Sequence, residues 1–212
     1  MRKQKESTCA ICGIKPATTR EHVPPKGIFL TPKPSDLITV PACFDCNNSS
    51  SESDERFRLF LGLHVARFTK QGEQLFKEGI IPTAKHNNRY RKEILSNSEP
   101  VILTTAGGII YGKGVSIPWD NEAHDKTIDK IIRGLFFHHY KKIIAANAEI
   151  SVNFFNSLPK MDVELYENSI GNGAFRYAYN KVEEAEYDSV WIFNFYDGHW
   201  AGGTVLEKDY PE

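Results

Sequence analysis

The chain of 212 residues contains no run of about 18 apolar residues, the least that a membrane-spanning helix needs. Its first residues are polar and basic with no apolar segment behind them, so the pattern of a secretory signal peptide is missing. Cysteine is scarce as well, since there are only four and none follows position 46. A disulfide-stabilised secreted domain is therefore disfavoured, and we expect a soluble, cytoplasmic protein.

The sequence also lacks an excess of charge of one sign, because 26 basic residues nearly balance 27 acidic ones and leave a formal net charge of -1. The two signs are unevenly distributed along the chain. Residues 1–34 carry seven bases and two acids, residues 81–95 carry four and one, and residues 148–212 carry four and twelve. This asymmetry favours one surface that binds an anion and another that stays away from it.

Hydrophobic residues make up 41% of the chain, which is enough for a packed core. Apolar residues at helical spacing predict helices over about 53–78 and 122–147, and the polar residues 82–99 predict a loop. Gly107 and Gly108 between two apolar runs predict a β-hairpin. Alternating aromatic and β-branched residues predict strands at 150–155, 175–180, 190–196 and 200–206.

The aromatic residues of these strands are interpreted as core, although aromatic side chains on a sheet can also stack on nucleic-acid bases. Two histidines fall on apolar helix faces, His64 and His139, and we expect both to be packed, His139 with a hydrogen-bond partner. The other isolated histidines have no supporting neighbours in the sequence, namely His86, His124 and His199.

The four cysteines form two pairs of identical spacing, Cys9-x2-Cys12 and Cys43-x2-Cys46, separated by 30 residues. Two residues between thiolates allow both to reach one ion, and two such pairs complete a closed tetrahedral shell. The pattern predicts a structural zinc site rather than disulfides or unrelated free thiols. Such a site supplies on the order of 10–16 kcal/mol, so we expect this loop-rich region to be unfolded without metal.

Between the two pairs lies Thr19-Arg20-Glu21-His22-Val23-Pro24, and Asn47 directly follows the last cysteine. An acid–histidine pair after a first cysteine pair, and then Cys-x2-Cys-Asn, resembles the HNH endonucleases of the treble-clef, ββα-metal type. The resemblance covers residues 7–58, about a quarter of the chain, and we recognise no family in the remainder. The family commonly has aspartate in place of Glu21 and a lysine in place of Ser50.

The resemblance implies that His22 is the general base and that Glu21 and Asn47 bind one catalytic Mg²⁺ or Mn²⁺ ion. The chemistry of these residues agrees, since a neutral imidazole can take a proton from water and oxygen donors suit Mg²⁺. Adjacent strand residues face opposite sides, so a bulge or twist is expected at Glu21 and His22. Four basic residues are candidates for phosphate contacts, namely Arg20, Lys26, Arg56 and Arg58.

We therefore predict an α+β protein in which a treble-clef zinc and nuclease module, residues 1–58, precedes an α+β portion, residues 59–212, packed against it. The predicted function is metal-dependent cleavage of DNA, with RNA as the alternative substrate. Two other classes stay open: a non-catalytic zinc protein that binds nucleic acid, and a partner-dependent effector of a defence or mobile-element system. Residues 80–212 are the candidates for binding a protein partner or a second copy.

Overall fold

The N-terminal part of the molecule is a small two-stranded unit followed by a helix. The computed structural model describes residues 7–155, 157 and 163–207. Strands β1 (Thr19–His22) and β2 (Thr39–Ala42) pair antiparallel without a register shift. A 3-10 turn (Lys26–Ile28) lies between them, and α1 (Phe44–Ser49) follows β2 directly.

A series of helices comes next, and it differs from the sequence-based expectation. It consists of α2 (Ser51–Val65), α3 (Lys70–Gln74), a π-helical stretch (Leu75–Ile80), α4 (Ile81–His86) and α5 (Asn88–Ser96). The prediction of one continuous helix over 53–78 was wrong, because Thr69 is extended and caps α3 through the N–H of Gly72. A Cβ at Gly72 would lie 2.4 Å from the carbonyl oxygen of Val65, so the two segments pack without room for a side chain.

The predicted loop over residues 82–99 was also wrong, since most of it is helical. Asn87 caps the start of α5, because its side-chain oxygen accepts from the backbone N–H groups of Arg89 and Tyr90. Tyr90 is buried against Leu59 and Ile80, which anchors this polar helix to α2. Tertiary packing at one aromatic residue therefore outweighs the polar composition of the segment.

The hairpin predicted around Gly107 and Gly108 is confirmed as β3 (Glu99–Thr104) and β4 (Ile110–Ser116). Gly108 has a positive φ of 82°, which only glycine adopts freely and which turns the chain between the strands. Ile102 and Ile110 remain exposed, so the hairpin adds little to the core.

The longest described helix is α6 (Asn121–Tyr140), which begins where the Asp120 carboxylate accepts from the N–H of Ala123. It ends before the predicted residue 147 because Lys141 adopts the left-handed conformation, with φ of 55°. None of the helices in the described ranges combines the length and the apolar character that crossing a membrane requires.

The C-terminal part is a five-stranded antiparallel sheet in the order β5-β9-β8-β7-β6. The four predicted strands are confirmed and a fifth is added, which makes the molecule a mixture of helices and antiparallel sheet, the expected α+β class. Their bounds are β5 (Glu149–Phe155), β6 (Tyr166–Ile170), β7 (Phe175–Lys181), β8 (Ser189–Phe195) and β9 (His199–Leu206).

A single core joins the N-terminal strands to this sheet, with α6 between them. The alternating aromatic residues of β7 and β8 are buried together with Ile131 and Leu135 of α6, which confirms their interpretation as core. On its other side α6 approaches the N-terminal part closely, since a Cβ at Gly134 would lie 2.4 Å from Val23. The position of β1 is therefore fixed against α6.

Two histidines meet within this core. His124 on α6 and His199 on β9 are 1% and 5% exposed, and their Nε2 atoms are 3.2 Å apart. Trp119 stacks on His199 with ring centroids 5.0 Å apart. Neither histidine has a supporting neighbour in the sequence, because the two residues lie 75 positions apart and meet only in the folded chain.

His139 and His64, the two histidines expected to be packed, both have partners. His139 hydrogen-bonds through Nε2 to the hydroxyl of Tyr177 at 3.1 Å and through Nδ1 to that of Tyr179 at 2.9 Å. His64 packs against Phe68, and its Nε2 lies 3.2 Å from the carbonyl oxygen of Gly198. Both are structural histidines by these contacts.

The buried histidine pair makes stability depend on pH. Burial, followed by the neighbouring His124 and His64, lowers the pKa of His199 to about 3. Folded His199 is then neutral while the unfolded residue titrates near 6.5, so stability is lost as pH falls from about 6.5 towards 3. Between pH 7 and pH 5, we expect the unfolding free energy of His199→Gln to fall by about 2 kcal/mol less than that of the unaltered protein.

Urea denaturation at the two pH values measures this difference. His86→Gln is the matched control, because it makes the same substitution at an exposed position. If the unaltered protein and His199→Gln lose the same unfolding free energy between pH 7 and pH 5, His199 is not the source of the pH dependence.

Candidate functional site

The four cysteines converge on one point. The sulfur atoms of Cys9, Cys12, Cys43 and Cys46 lie within 4.8 Å of one another. Sulfur ligands placed tetrahedrally about 2.3 Å from a zinc ion are about 4 Å apart, so this spacing suits such an ion. The cluster can therefore hold a metal ion, and zinc is the natural match for four thiolates.

Local backbone geometry forms the cluster. The N–H of Gly13 donates to the carbonyl oxygen of Cys9 at 2.9 Å, and a φ of 68° at Gly13 closes this turn. At the start of α1 the N–H of Cys46 points at the sulfur of Cys43, 3.4 Å away. The N–H of Ala10 also donates to Pro41 in β2 at 2.9 Å. A bound ion would thus tie the first turn, β2 and α1 together.

A cavity of about 380 Å³ lies between β1, α1 and α2. It contains all three residues of the proposed nuclease motif together with basic and acidic neighbours. Its lining residues include Glu21, His22, Asn47, Arg20, Lys26, Asp54 and Arg58.

Glu21 and His22 reach this cavity from a regular strand. The pairing of β1 with β2 continues through His22 opposite Thr39, so no bulge is present where a bulge or twist was expected. Glu21 is buried and His22 is half-buried, as expected for neighbours on opposite faces. Because His22 is the last residue of β1, its side chain can approach the cavity from the strand end.

Asn47 links α1 to β1. Its side-chain nitrogen donates to the carbonyl oxygen of Arg20 at 3.4 Å, across 27 positions of sequence. This bond uses the amide nitrogen, so the amide oxygen is the atom that Asn47 can offer to an ion. The contact also holds the start of α1 next to the strand that carries Glu21 and His22.

Glu21 belongs to a buried charge cluster. Lys130 of α6 is 3% exposed, and its Nζ lies 3.3 Å from Oε1 of Glu21, 2.5 Å from Oδ2 of Asp54 and 3.0 Å from the hydroxyl of Ser50. Burial raises the pKa of both Glu21 and Asp54, and the charge of Lys130 opposes that rise. The charge of Lys130 therefore opposes the protonation of both buried carboxylates.

The second carboxylate oxygen of Glu21 differs from the one that accepts from Lys130. Its Oε2 is buried and has no hydrogen-bond partner in the described part of the chain. A buried carboxylate oxygen without a partner costs free energy, on the order of 1–3 kcal/mol or more. An oxygen donor of this kind, in a residue that lines the same cavity as Asn47, fits a divalent cation, which binds carboxylate and amide oxygens.

The environment of His22 favours its neutral form. Burial, followed by the positive charges of Lys26 and Arg20, lowers the pKa of the imidazole below its ordinary value. The ring is thus available to accept a proton at neutral pH.

The four basic residues expected to contact phosphate are not all at the cavity. Arg20, Lys26 and Arg58 line it, whereas Arg56 lies at a different surface and pairs with Asp120. Arg20 also donates to Thr39, and Arg58 donates to Gly79 at 3.0 Å, so both guanidinium groups are positioned by the protein.

Two residues of this site escaped the sequence analysis. Asp54 and Lys130 both lie within predicted helices, and no pattern in the sequence distinguishes them from their neighbours. Lys130 and Glu21 are 109 positions apart, so no local signal in the sequence links them.

Comparisons with family models, with curated protein sequences and with solved structures find no match for this chain. The geometry of the cysteine cluster and of the cavity beside α1 therefore carries the functional argument. It supplies a site for a structural metal ion and, separately, a histidine with oxygen donors and cationic side chains.

The cysteine cluster predicts one zinc ion per chain. Because the ion would join the first turn, β2 and α1, its removal by a chelator should unfold the N-terminal part and lower helix content. We expect Cys46→Ser to weaken zinc binding by at least about tenfold. Elemental analysis and circular dichroism before and after chelation measure both effects.

Ser49→Ala is the matched control, since Ser49 is exposed on the same helix and contributes no sulfur. Purified protein that contains no zinc and keeps its circular dichroism in a chelator would rule out the metal site.

Proposed function

We propose that the chain is a metal-dependent endonuclease of the HNH type, built on a treble-clef zinc module. The observation that carries the proposal is that Glu21, His22 and Asn47 line one cavity, although Asn47 is far from the other two in sequence. A histidine base, oxygen donors for one ion and a cationic rim are what phosphodiester hydrolysis needs.

In this proposal His22 accepts the proton of the attacking water at a ring nitrogen, and its lowered pKa keeps that nitrogen free. Glu21, through Oε2, and Asn47, through its amide oxygen, are the residues that would hold one Mg²⁺ or Mn²⁺ ion. The ion, when bound, supplies Lewis-acid stabilisation of the phosphate and the leaving oxygen. The bond from Asn47 to Arg20 keeps α1 in register with the strand that carries the base.

A further contact supports the resemblance. The lysine that the family often carries after the helix asparagine is Ser50 in this chain. The ammonium of Lys130 lies 3.0 Å from the Ser50 hydroxyl, so a positive charge reaches this position from α6 instead.

The expected substrate is DNA, with RNA as the alternative. Arg20, Lys26 and Arg58 would contact the phosphates, which provide affinity without reading sequence. We therefore expect little sequence preference and binding that weakens as the salt concentration rises.

The test is cleavage of supercoiled plasmid by the zinc-loaded full chain in the presence of Mg²⁺ or Mn²⁺. We expect His22→Ala to lower the nicking rate by at least about 100-fold, because the variant has no proton acceptor at this position. The zinc content and the thermal unfolding temperature should stay close to those of the unaltered protein.

His86→Ala is the matched control, since His86 is exposed on α4 and remote in sequence from the motif. Equal nicking by the unaltered protein and His22→Ala would remove His22 from the mechanism. Retarded migration of DNA without cleavage would instead favour a non-catalytic zinc protein that binds nucleic acid.

A further inference from the structure

We propose that Lys130 and Asp54 are positioning residues that set the net charge of the ion site, so that Glu21 keeps one charged oxygen for a single divalent cation. The inference rests on the proposed function, because it places the ion at Glu21. It brings α6, from outside the nuclease motif, into the construction of that site.

The first support is the saturation of the ammonium. An ammonium group has three N–H donors, and Nζ of Lys130 has three oxygen acceptors, on Glu21, Asp54 and Ser50. These acceptors come from β1, α2 and the residue just before α2. Lys130 is 3% exposed, so these three acceptors hold the ammonium at a position shielded from bulk solvent.

The second support is the inequality of the distances. Nζ is 2.5 Å from Asp54 and 3.3 Å from Glu21, so Lys130 is paired chiefly with Asp54. Two carboxylates and one ammonium carry a formal net charge of -1, and Glu21 is the carboxylate farther from the ammonium. The unpartnered Oε2 of the same side chain is where that charge remains available to a cation.

The net charge of the cluster also shows what Asp54 and Lys130 each prevent. Without the charge of Asp54, the ammonium would pair with Glu21 alone and neutralise the ion site. Without Lys130, the oxygens of Glu21, Asp54 and Ser50 would form an empty set of hard donors that suits a divalent cation. Lys130 therefore occupies a position that could otherwise hold a cation. Asp54 keeps the ammonium from neutralising Glu21, where the divalent ion is proposed to bind.

Three variants are expected to change Mn²⁺ affinity in different directions. Asp54→Asn makes the net charge of the cluster 0 and should weaken binding by at least about tenfold. Lys130→Met makes it -2 and should strengthen binding by at least about tenfold, or add a second ion. The double variant restores -1 and should bind within about threefold of the unaltered protein.

Isothermal titration of the zinc-loaded full chain with Mn²⁺ at pH 8 measures affinity and stoichiometry without relying on cleavage. Lys126→Met and Glu122→Gln are the matched controls, since they make the same charge changes at an exposed ion pair on the same helix. Neither control should change Mn²⁺ affinity by more than about twofold.

Lys130→Met leaves two buried carboxylates without a counterion, so folding is measured as well. Mn²⁺ should raise its unfolding temperature more than that of the unaltered protein. If Lys130→Met stays unfolded even with Mn²⁺, the weakened binding of Asp54→Asn decides the matter, since asparagine keeps the shape of the side chain.

Wild-type affinity in Asp54→Asn, or a double variant that binds worse than Asp54→Asn, would overturn the inference and leave Lys130 a purely structural role. The proposed function is judged separately by plasmid cleavage. If the unaltered protein binds no Mn²⁺, both the proposed function and this inference are overturned. If it binds Mn²⁺ and cleaves DNA, but the Mn²⁺ affinity of the variants does not follow their net charge, only this inference is overturned.

Discussion

The convergence of four cysteine sulfur atoms within 4.8 Å is the constraint on which the rest of the candidate site depends. The surrounding segment has little regular structure of its own, namely two four-residue strands and one six-residue helix. An ion at the cluster would fix α1 against β2, and β2 fixes β1 through its pairing. The relative position of His22 and Asn47 then follows, since one ends β1 and the other lies within α1.

A second constraint comes from α6, which packs between the N-terminal strands and the sheet. The close approach of Gly134 to Val23 leaves no room for the helix to shift towards β1. Within that tight contact the helix presents Lys130, and a buried charge is costly unless it is paired. Lys130 is paired with Asp54 and Glu21, which offsets this cost and ties α6 to α2 and β1.

Local patterns in the sequence predict much of the fold, and contacts between distant residues account for what they miss. Three features are predicted by residues that are close in sequence. They are the paired cysteines, the turn at glycines 107 and 108, and the strands with alternating aromatic residues. The break at Thr69 and the helix capped by Asn87 depend instead on packing at Gly72 and Tyr90. For the site, the motif predicts which residues share the cavity but not the buried ammonium, because Lys130 joins Glu21 across 109 positions.

The distribution of charge gives the two sides of α6 different roles. The cavity side carries Arg20, Lys26 and Arg58 around the carboxylates of Glu21 and Asp54. The sheet side carries exposed acids such as Glu167 and Glu183, which would repel a phosphate backbone. A net charge of -1 therefore conceals an uneven distribution of charge between the cavity side and the sheet side of α6.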